Sequence, residues 1–220
     1  MSAEQVADIR ARQTVFPDAL QCLKNVICHR VSKQLPKDPL GRCLAILPNR
    51  QAGLKMGNGL DDGVALGPLV NAEGRNKVIE LVDDAVKKGA KVLTGGKAPD
   101  GKGFFYPATV LTGVPDDAAM LREEIFGPVA SIQSFKSEDE VVRRANDTEY
   151  GLVAYLYTKD IGRGMRVSER LEFGMIGLNR GLVSDPAAAF GGMKQSGIGR
   201  EGAHEGLMEF LETQYISLNW

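Results

Sequence analysis

Apolar residues recur at helical spacing after Asn71 and stop before Gly89. They are Val78, Ile79, Val82, Ala85 and Val86, at positions i, i+1, i+4, i+7 and i+8. This spacing places them on one face of a helix, and a lysine pair followed by Gly89 is typical of a helix C-terminus. The pattern therefore predicts an amphipathic helix that lies against a sheet.

Shorter apolar runs bounded by turn residues predict strands. They span residues 91–94, 104–111, 128–135, 152–158 and 174–178. Ser137, with Glu140 three residues later, forms a capping box that predicts a helix through Asn146. Asp160 predicts the start of another helix, ending near Leu171. Helices that alternate with strands favour an α/β fold with a largely parallel sheet, followed by an extended piece over 214–220.

The first 53 residues show neither helical periodicity nor clean alternation. Within residues 26–51, three prolines, Pro36, Pro39 and Pro48, interrupt the chain. We expect a helix near the start and irregular chain after it. The change in composition near Gln51 is the one candidate domain boundary.

Composition narrows the class of protein. With 220 residues, 43% of them hydrophobic, the chain can bury one core or two small ones. A formal net charge of -1 gives no basis for binding nucleic acid or an anionic membrane. The N-terminus lacks the apolar core of a secretory signal, and no apolar run reaches the ~20 residues of a membrane span. Three cysteines, an odd number without a regular framework, favour a reducing cytoplasm.

Two glycine-punctuated segments carry the candidate chemistry. They are LREEIFGPV, residues 121–129, and FGGMKQSGIGRE, residues 190–201. Together they resemble the aldehyde dehydrogenase superfamily, and its succinate-semialdehyde dehydrogenase branch most of all, from about Leu54 to the C-terminus. The resemblance implies a layered catalytic-domain sheet with flanking helices over 54–204 and an oligomerisation tail over 205–220. Residues 1–53 are left as an unassigned or aberrant segment.

The resemblance assigns the first segment to the cofactor. It implies that Glu124 binds the nicotinamide ribose and that Phe126 packs against the nicotinamide ring of NADP or NAD, with NADP favoured. In an extended segment these two side chains point the same way. An acidic turn with a buried phenylalanine is the alternative for these residues.

The second segment and the residues before it resemble the wall of an aldehyde entry tunnel. The resemblance implies that Ser184 binds the far carboxylate of the substrate and that Phe190 lines the tunnel. A hydroxyl can donate a hydrogen bond to a carboxylate that a hydrophobic wall would reject. The alternative is an exposed serine that caps the Asp185-Pro186 turn.

The family chemistry requires a cysteine nucleophile, a water-activating glutamate and a dinucleotide-binding half. Cys28 lies near the required spacing, but its surroundings do not reproduce the family motif. The alternatives are a small apolar core residue and a cysteine in disordered chain. Residues 197–202 match G-x-G-x-x-G, yet they do not clearly follow a strand, and we reject them as a dinucleotide site. No metal site is expected, since His204 has no ligand partners at suitable spacing.

These features lead to three functional hypotheses. The first is an NAD(P)-dependent oxidation of succinate semialdehyde by a truncated or frame-shifted member of the family. The second is a catalytically inactive fragment or structural subunit, and the third is a dehydrogenase for another semialdehyde. We expect a homo-oligomer formed through the C-terminal strand, acting on a small aldehyde. We also expect little turnover from the isolated chain, because half of the cofactor site is not recognisable.

Overall fold

The computed structural model describes residues 26–29 and 39–220. It divides the chain into two compact units, one up to Val141 and one over Val142–Trp220. Each unit combines helices and strands, as the sequence predicts. The predicted helix near the N-terminus lies outside the described residues.

The first unit is built on a four-stranded sheet. Its strands are β1 (Val26–His29), β2 (Lys91–Thr94), β3 (Thr109–Thr112) and β4 (Val129–Phe135). Their spatial order is β1-β4-β3-β2, with β4 parallel to both β1 and β3 and with β2 antiparallel to β3. The sheet is therefore mostly parallel, with one antiparallel edge. The predicted strand over 104–111 is confirmed only for its last three residues.

Helices of the first unit are α1 (Pro39–Ala52), α2 (Ala72–Lys87) and the start of α3 (Glu138–Asn146). The expectation of irregular chain up to residue 53 is wrong for β1 and α1. Pro39 stands at the first position of α1, where its fixed φ suits the helix and its missing N–H is no loss. Pro48 lies inside α1. It is tolerated because Leu44 and Leu47 pack against buried residues of β3 and β4.

Helix α2 confirms the prediction from the apolar spacing. The Asn71 side chain accepts a 2.8 Å hydrogen bond from the Gly74 amide and caps its N-terminus. Gly89, at φ 109°, follows its C-terminus as expected. Val78, Leu81, Val82 and Ala85 are buried in a cluster that also contains Leu111, Met120 and Val129. A second cluster contains Val110, Ala130 and Ile132, so helices cover both faces of the sheet.

The second unit contains two small sheets and two further helices. Its strands are β5 (Tyr150–Gly151), β6 (Val153–Leu156), β7 (Met175–Leu178) and β8 (Met193–Lys194). β6 pairs with β7 in parallel, and β5 pairs with β8 antiparallel. The helices are α4 (Ile161–Arg170), which Asp160 caps as predicted, and α5 (Ala203–Met208). Residues 211–220 form no helix or strand and are exposed.

Candidate active-site segments

The segment Leu121–Val129 is held firmly on the first unit. Ile125 and Val129 are buried, at 5% and 2% exposure. Gly127 lies so close to α2 that a Cβ there would come within 2.6 Å of Val78 Cγ2. Any larger residue would push the segment away from the helix, so glycine is required at this contact.

Glu124 and Phe126 are both exposed and lie on either side of buried Ile125. Phe126 is 76% exposed and has φ 50°, a conformation that non-glycine residues rarely adopt. Glu123 approaches Lys77 at 3.9 Å, whereas Glu124 forms no such pair among the described residues. The alternative of an acidic turn with a buried phenylalanine is therefore wrong with respect to burial. Phe126 departs from regular extended backbone, although the exposed-buried-exposed alternation that extended chain predicts is present.

Cys28 lies in β1, and its Cα is paired with that of Ser134 in β4. Its backbone thus belongs to a parallel sheet rather than to a loop. Its role as nucleophile remains a prediction.

The loop after β7 begins with two backbone anchors. Asn179, at φ 55°, accepts a 2.9 Å hydrogen bond from the Thr158 amide and donates a 2.8 Å hydrogen bond to the Thr158 carbonyl. Its side chain thereby continues the β6–β7 pairing beyond the last strand residue. The Tyr157 hydroxyl donates a 2.8 Å hydrogen bond to the carbonyl of Arg180. These three hydrogen bonds fix the loop at the carboxyl ends of two parallel strands, where α/β proteins commonly bind ligands.

Ser184 follows the point at which this loop returns to its strand. A Cβ on Gly177 would lie 3.0 Å from Val183 Cγ1, so Val183 packs against β7. Ser184 is exposed. The Asp185 carboxylate, and not the Ser184 hydroxyl, accepts the Ala187 amide at 2.9 Å and closes the turn. The capping role that was the alternative for Ser184 therefore belongs to Asp185.

Phe190 is half-buried beside an open cavity of about 320 Å³. Its backbone pairs with that of Glu201, through hydrogen bonds of 2.8 and 2.7 Å. The Arg200 guanidinium, also at the cavity, donates hydrogen bonds to the carbonyls of Gly192, Ile198 and Gly199. Arg200 consequently shapes the loop through these hydrogen bonds.

Asn179, Arg180 and Tyr157 were not singled out from the sequence. The signal for Asn179 was its position just after a strand, because asparagine adopts positive φ more readily than most residues. Glu124 and Phe126 belong to the first unit, and Ser184 and Phe190 to the second. The prediction that they form a single site therefore stays a prediction.

Both units are of the α/β class, and the candidate site residues Glu124, Phe126, Ser184 and Phe190 lie outside their helices and strands. Residues 27–216 match the aldehyde dehydrogenase family, and the chain belongs to this family of oxidoreductases. The match begins upstream of Leu54, where the resemblance was expected to start, and it includes Cys28.

Similar proteins include succinate-semialdehyde dehydrogenases. That of Paenarthrobacter nicotinovorans is 50% identical over 165 residues, which are 75% of this chain and 37% of the relative. Glutarate-semialdehyde dehydrogenase of Pseudomonas putida is 50% identical over 168 residues, 76% of this chain and 35% of the relative. The NADP(+) enzyme GabD of Escherichia coli, a succinate-semialdehyde dehydrogenase, is 47% identical over 165 residues, 75% and 34% of the two chains. The chain thus spans about a third of the length of these curated relatives.

Solved structures of the same fold cover more of the chain. Succinate-semialdehyde dehydrogenase from Burkholderia pseudomallei has a TM-score of 0.79 at 45% identity, over 86% of this chain and 38% of that one. An NAD+ complex of aldehyde dehydrogenase from Bacillus cereus has a TM-score of 0.80 at 34% identity, over 89% and 40%. Among the described residues of this chain, none of the helices has the length and apolar content of a membrane span.

Proposed function

We propose that this chain carries out NAD(P)-dependent oxidation of an aldehyde with a carboxylate at its far end, with succinate semialdehyde as substrate and succinate as product. The observation that carries this proposal is Phe126. An aromatic ring 76% exposed to solvent, on a backbone held at φ 50°, is costly unless it serves a ligand. The buried neighbour Ile125 and the tight contact at Gly127 keep it in place.

The chemistry of these residues fits the nicotinamide end of the cofactor. Glu124 offers a carboxylate that can accept hydrogen bonds from ribose hydroxyls, and Phe126 offers a flat apolar surface for a ring. When bound, NAD(P)+ supplies the hydride acceptor for the oxidation. The protein's contribution at this point is to orient the ring, because hydride transfer requires close and aligned approach.

At the substrate end, Ser184 is proposed to bind the carboxylate and Phe190 to form an apolar wall. The names of the similar proteins support this choice, since succinate and glutarate semialdehydes both carry a carboxylate. A hydroxyl that donates to this group favours such substrates over neutral aldehydes of similar size.

Cys28 is the proposed nucleophile. Its thiolate adds to the aldehyde carbon and forms a thiohemiacetal. Oxidation converts this adduct into a thioester, which water hydrolyses to release the carboxylic acid and regenerate the thiol. The same proposal assigns residues 54–204 to the catalytic domain and 205–220 to an oligomerisation tail.

A single-turnover experiment tests the function. Purified chain in excess is mixed with succinate semialdehyde and NADP+ or NAD+, and absorbance of the reduced cofactor is followed. We expect slow formation of reduced cofactor, abolished in Cys28→Ser and at least about tenfold slower in Phe126→Ala and Ser184→Ala. Mass spectrometry should find the succinyl thioester on Cys28. A Cys28→Ser protein as active as wild type would remove Cys28 from the mechanism, and an inactive wild type that co-elutes with a full-length family enzyme would instead indicate a structural subunit.

A further inference from the structure

We propose that Arg180 is a second anion-binding residue beside Ser184, and that it sets the preference for aldehydes with a carboxylate at the far end. This inference rests on the proposed function and extends it. Three observations on the loop after β7 support it: its closed shape, its fixed backbone and the charge of Arg180, which is unpaired within the part of the chain that the structure describes.

The closed shape brings Arg180 and Ser184 near each other. Four residues of fully extended chain could separate their Cα atoms by at most about 14 Å. The loop is not extended, because Val183 returns to contact β7 beside Gly177. Arg180 therefore lies on the short loop that this contact closes, and Ser184 lies at its exit.

The backbone beneath Arg180 is fixed before any ligand arrives. The Asn179 side chain is bonded twice to Thr158, and the Arg180 carbonyl accepts the Tyr157 hydroxyl at 2.8 Å. Only side-chain rotamers remain to be ordered on binding, which lowers the entropic cost of recognition.

The charge of Arg180 has no partner among the described residues. Within the described part of the chain its guanidinium forms no ion pair or hydrogen bond, in contrast to Arg200, which donates to three carbonyls. The nearest acid along the loop, Asp185, accepts the Ala187 amide instead. A free guanidinium can bind a carboxylate with two parallel hydrogen bonds, and lysine cannot reproduce this geometry.

Titration with succinate tests the inference without requiring turnover. Amide NMR signals of residues 179–184 are followed in wild type, Arg180→Ala, Arg180→Lys and Ser184→Ala, with the dispersion of each spectrum as a check of folding. We expect the apparent Kd to rise about tenfold or more in Arg180→Ala and about threefold in Arg180→Lys. Arg143→Ala, which removes another exposed arginine from the last turn of α3, serves as the charge-matched control and should bind as wild type does. The neutral 1,4-butanediol should not distinguish the proteins.

Two results would overturn the role of Arg180. One is an unchanged Kd in Arg180→Ala while Ser184→Ala weakens binding, which would leave the proposed function standing. The other is an equal loss in Arg180→Ala and Arg143→Ala, which would indicate nonspecific attraction. Failure of wild type to bind succinate would also reject the inference, whereas the oxidation itself is decided separately by the single-turnover assay.

Discussion

At the scale of single residues, two non-glycine residues with positive φ differ in what offsets the cost of that conformation. Phe126 and Asn179 both adopt φ near 50°, although neither is glycine. Asn179 recovers the cost through two hydrogen bonds to Thr158, and its role is to hold the loop. Phe126 has a mostly exposed ring and gains no comparable contact, which is why we relate its conformation to a ligand.

Tyr106 presents the opposite case, a polar side chain that is buried in the core. It is 1% exposed, and its hydroxyl makes no hydrogen bond of good geometry in the described structure, although the Thr109 hydroxyl lies nearby. Burial raises the pKa of Tyr106 to about 12, although the neighbouring Thr109 hydroxyl acts in the other direction. Because the folded-state pKa exceeds the ordinary value of 10.0, the neutral form stabilises the fold below pH 10, and this contribution is lost as the pH rises towards 12.

Tyr106→Phe is therefore expected to stabilise the protein at neutral pH by about 1 kcal/mol, since it removes an unsatisfied buried hydroxyl. Urea unfolding at pH 7 measures the change. Between pH 9 and about 11, the free energy of unfolding of Tyr106→Phe should fall less than that of wild type. Tyr157→Phe, which removes a hydrogen-bonded hydroxyl, is the matched control and should not stabilise. Destabilisation in Tyr106→Phe would mean that the hydroxyl has a partner.

At the scale of elements, side-chain hydrogen bonds and ion pairs join helices to neighbouring segments. Asp84 of α2 accepts the Ala119 amide at 2.8 Å and Lys88 at 3.0 Å. Lys88 also donates a 2.7 Å hydrogen bond to the carbonyl of Asp117. This small network connects α2 to the turn that precedes Leu121–Val129, so it supports the segment that bears Phe126.

Because this network contains the Asp84 carboxylate, part of the free energy of unfolding is expected to depend on pH in the acidic range. The Ala119 amide, and then Lys88, hold the pKa of Asp84 below its ordinary value of 3.8. The charged form thus stabilises the fold above pH 3.8, and the contribution is lost as the pH falls through the lower folded-state pKa. Asp84→Asn should be less stable than wild type at pH 7, with the difference narrowing below about pH 4.

Urea unfolding of both proteins from pH 3 to 7 provides the measurement. Asp83→Asn changes an exposed aspartate on the same helix and should leave the stability at pH 7 nearly unchanged. A difference between Asp84→Asn and wild type that is independent of pH would show that the carboxylate charge is not involved.

At the scale of the whole molecule, the C-terminal residues remain without internal contacts that bury them. Large apolar side chains are exposed there, at 63% or more of their surface: Phe210, Leu211, Tyr215, Ile216, Leu218 and Trp220. An apolar stretch of this kind is typical of an interaction surface. The oligomerisation tail proposed for residues 205–220 would cover it with a second copy of the chain.

Ile216→Asp should shift the chain towards smaller species, because a charge is costly in an apolar interface. Size-exclusion chromatography with light scattering measures the mass, and fluorescence of Trp220, the one tryptophan of the sequence, should move to longer wavelength as the tail is exposed. Glu212→Gln, a polar substitution at an exposed position of the same tail, is the control. A wild-type protein that is monomeric at all concentrations tested would contradict the proposal.

The sequence by itself determined the family, the helices α2, α3 and α4 with their caps, and the segments that bear Glu124, Phe126, Ser184 and Phe190. These depend on local periodicity, capping residues and short motifs, which are all encoded by neighbours in the chain. Helix α1 and strand β1 were decided by tertiary structure, because packing of Leu44 and Leu47 on the sheet compensates for Pro48. The hydrogen bond from Tyr157 to the Arg180 carbonyl likewise joins residues distant in sequence. Contacts over such separations leave no periodic signal, so only the folded chain shows them.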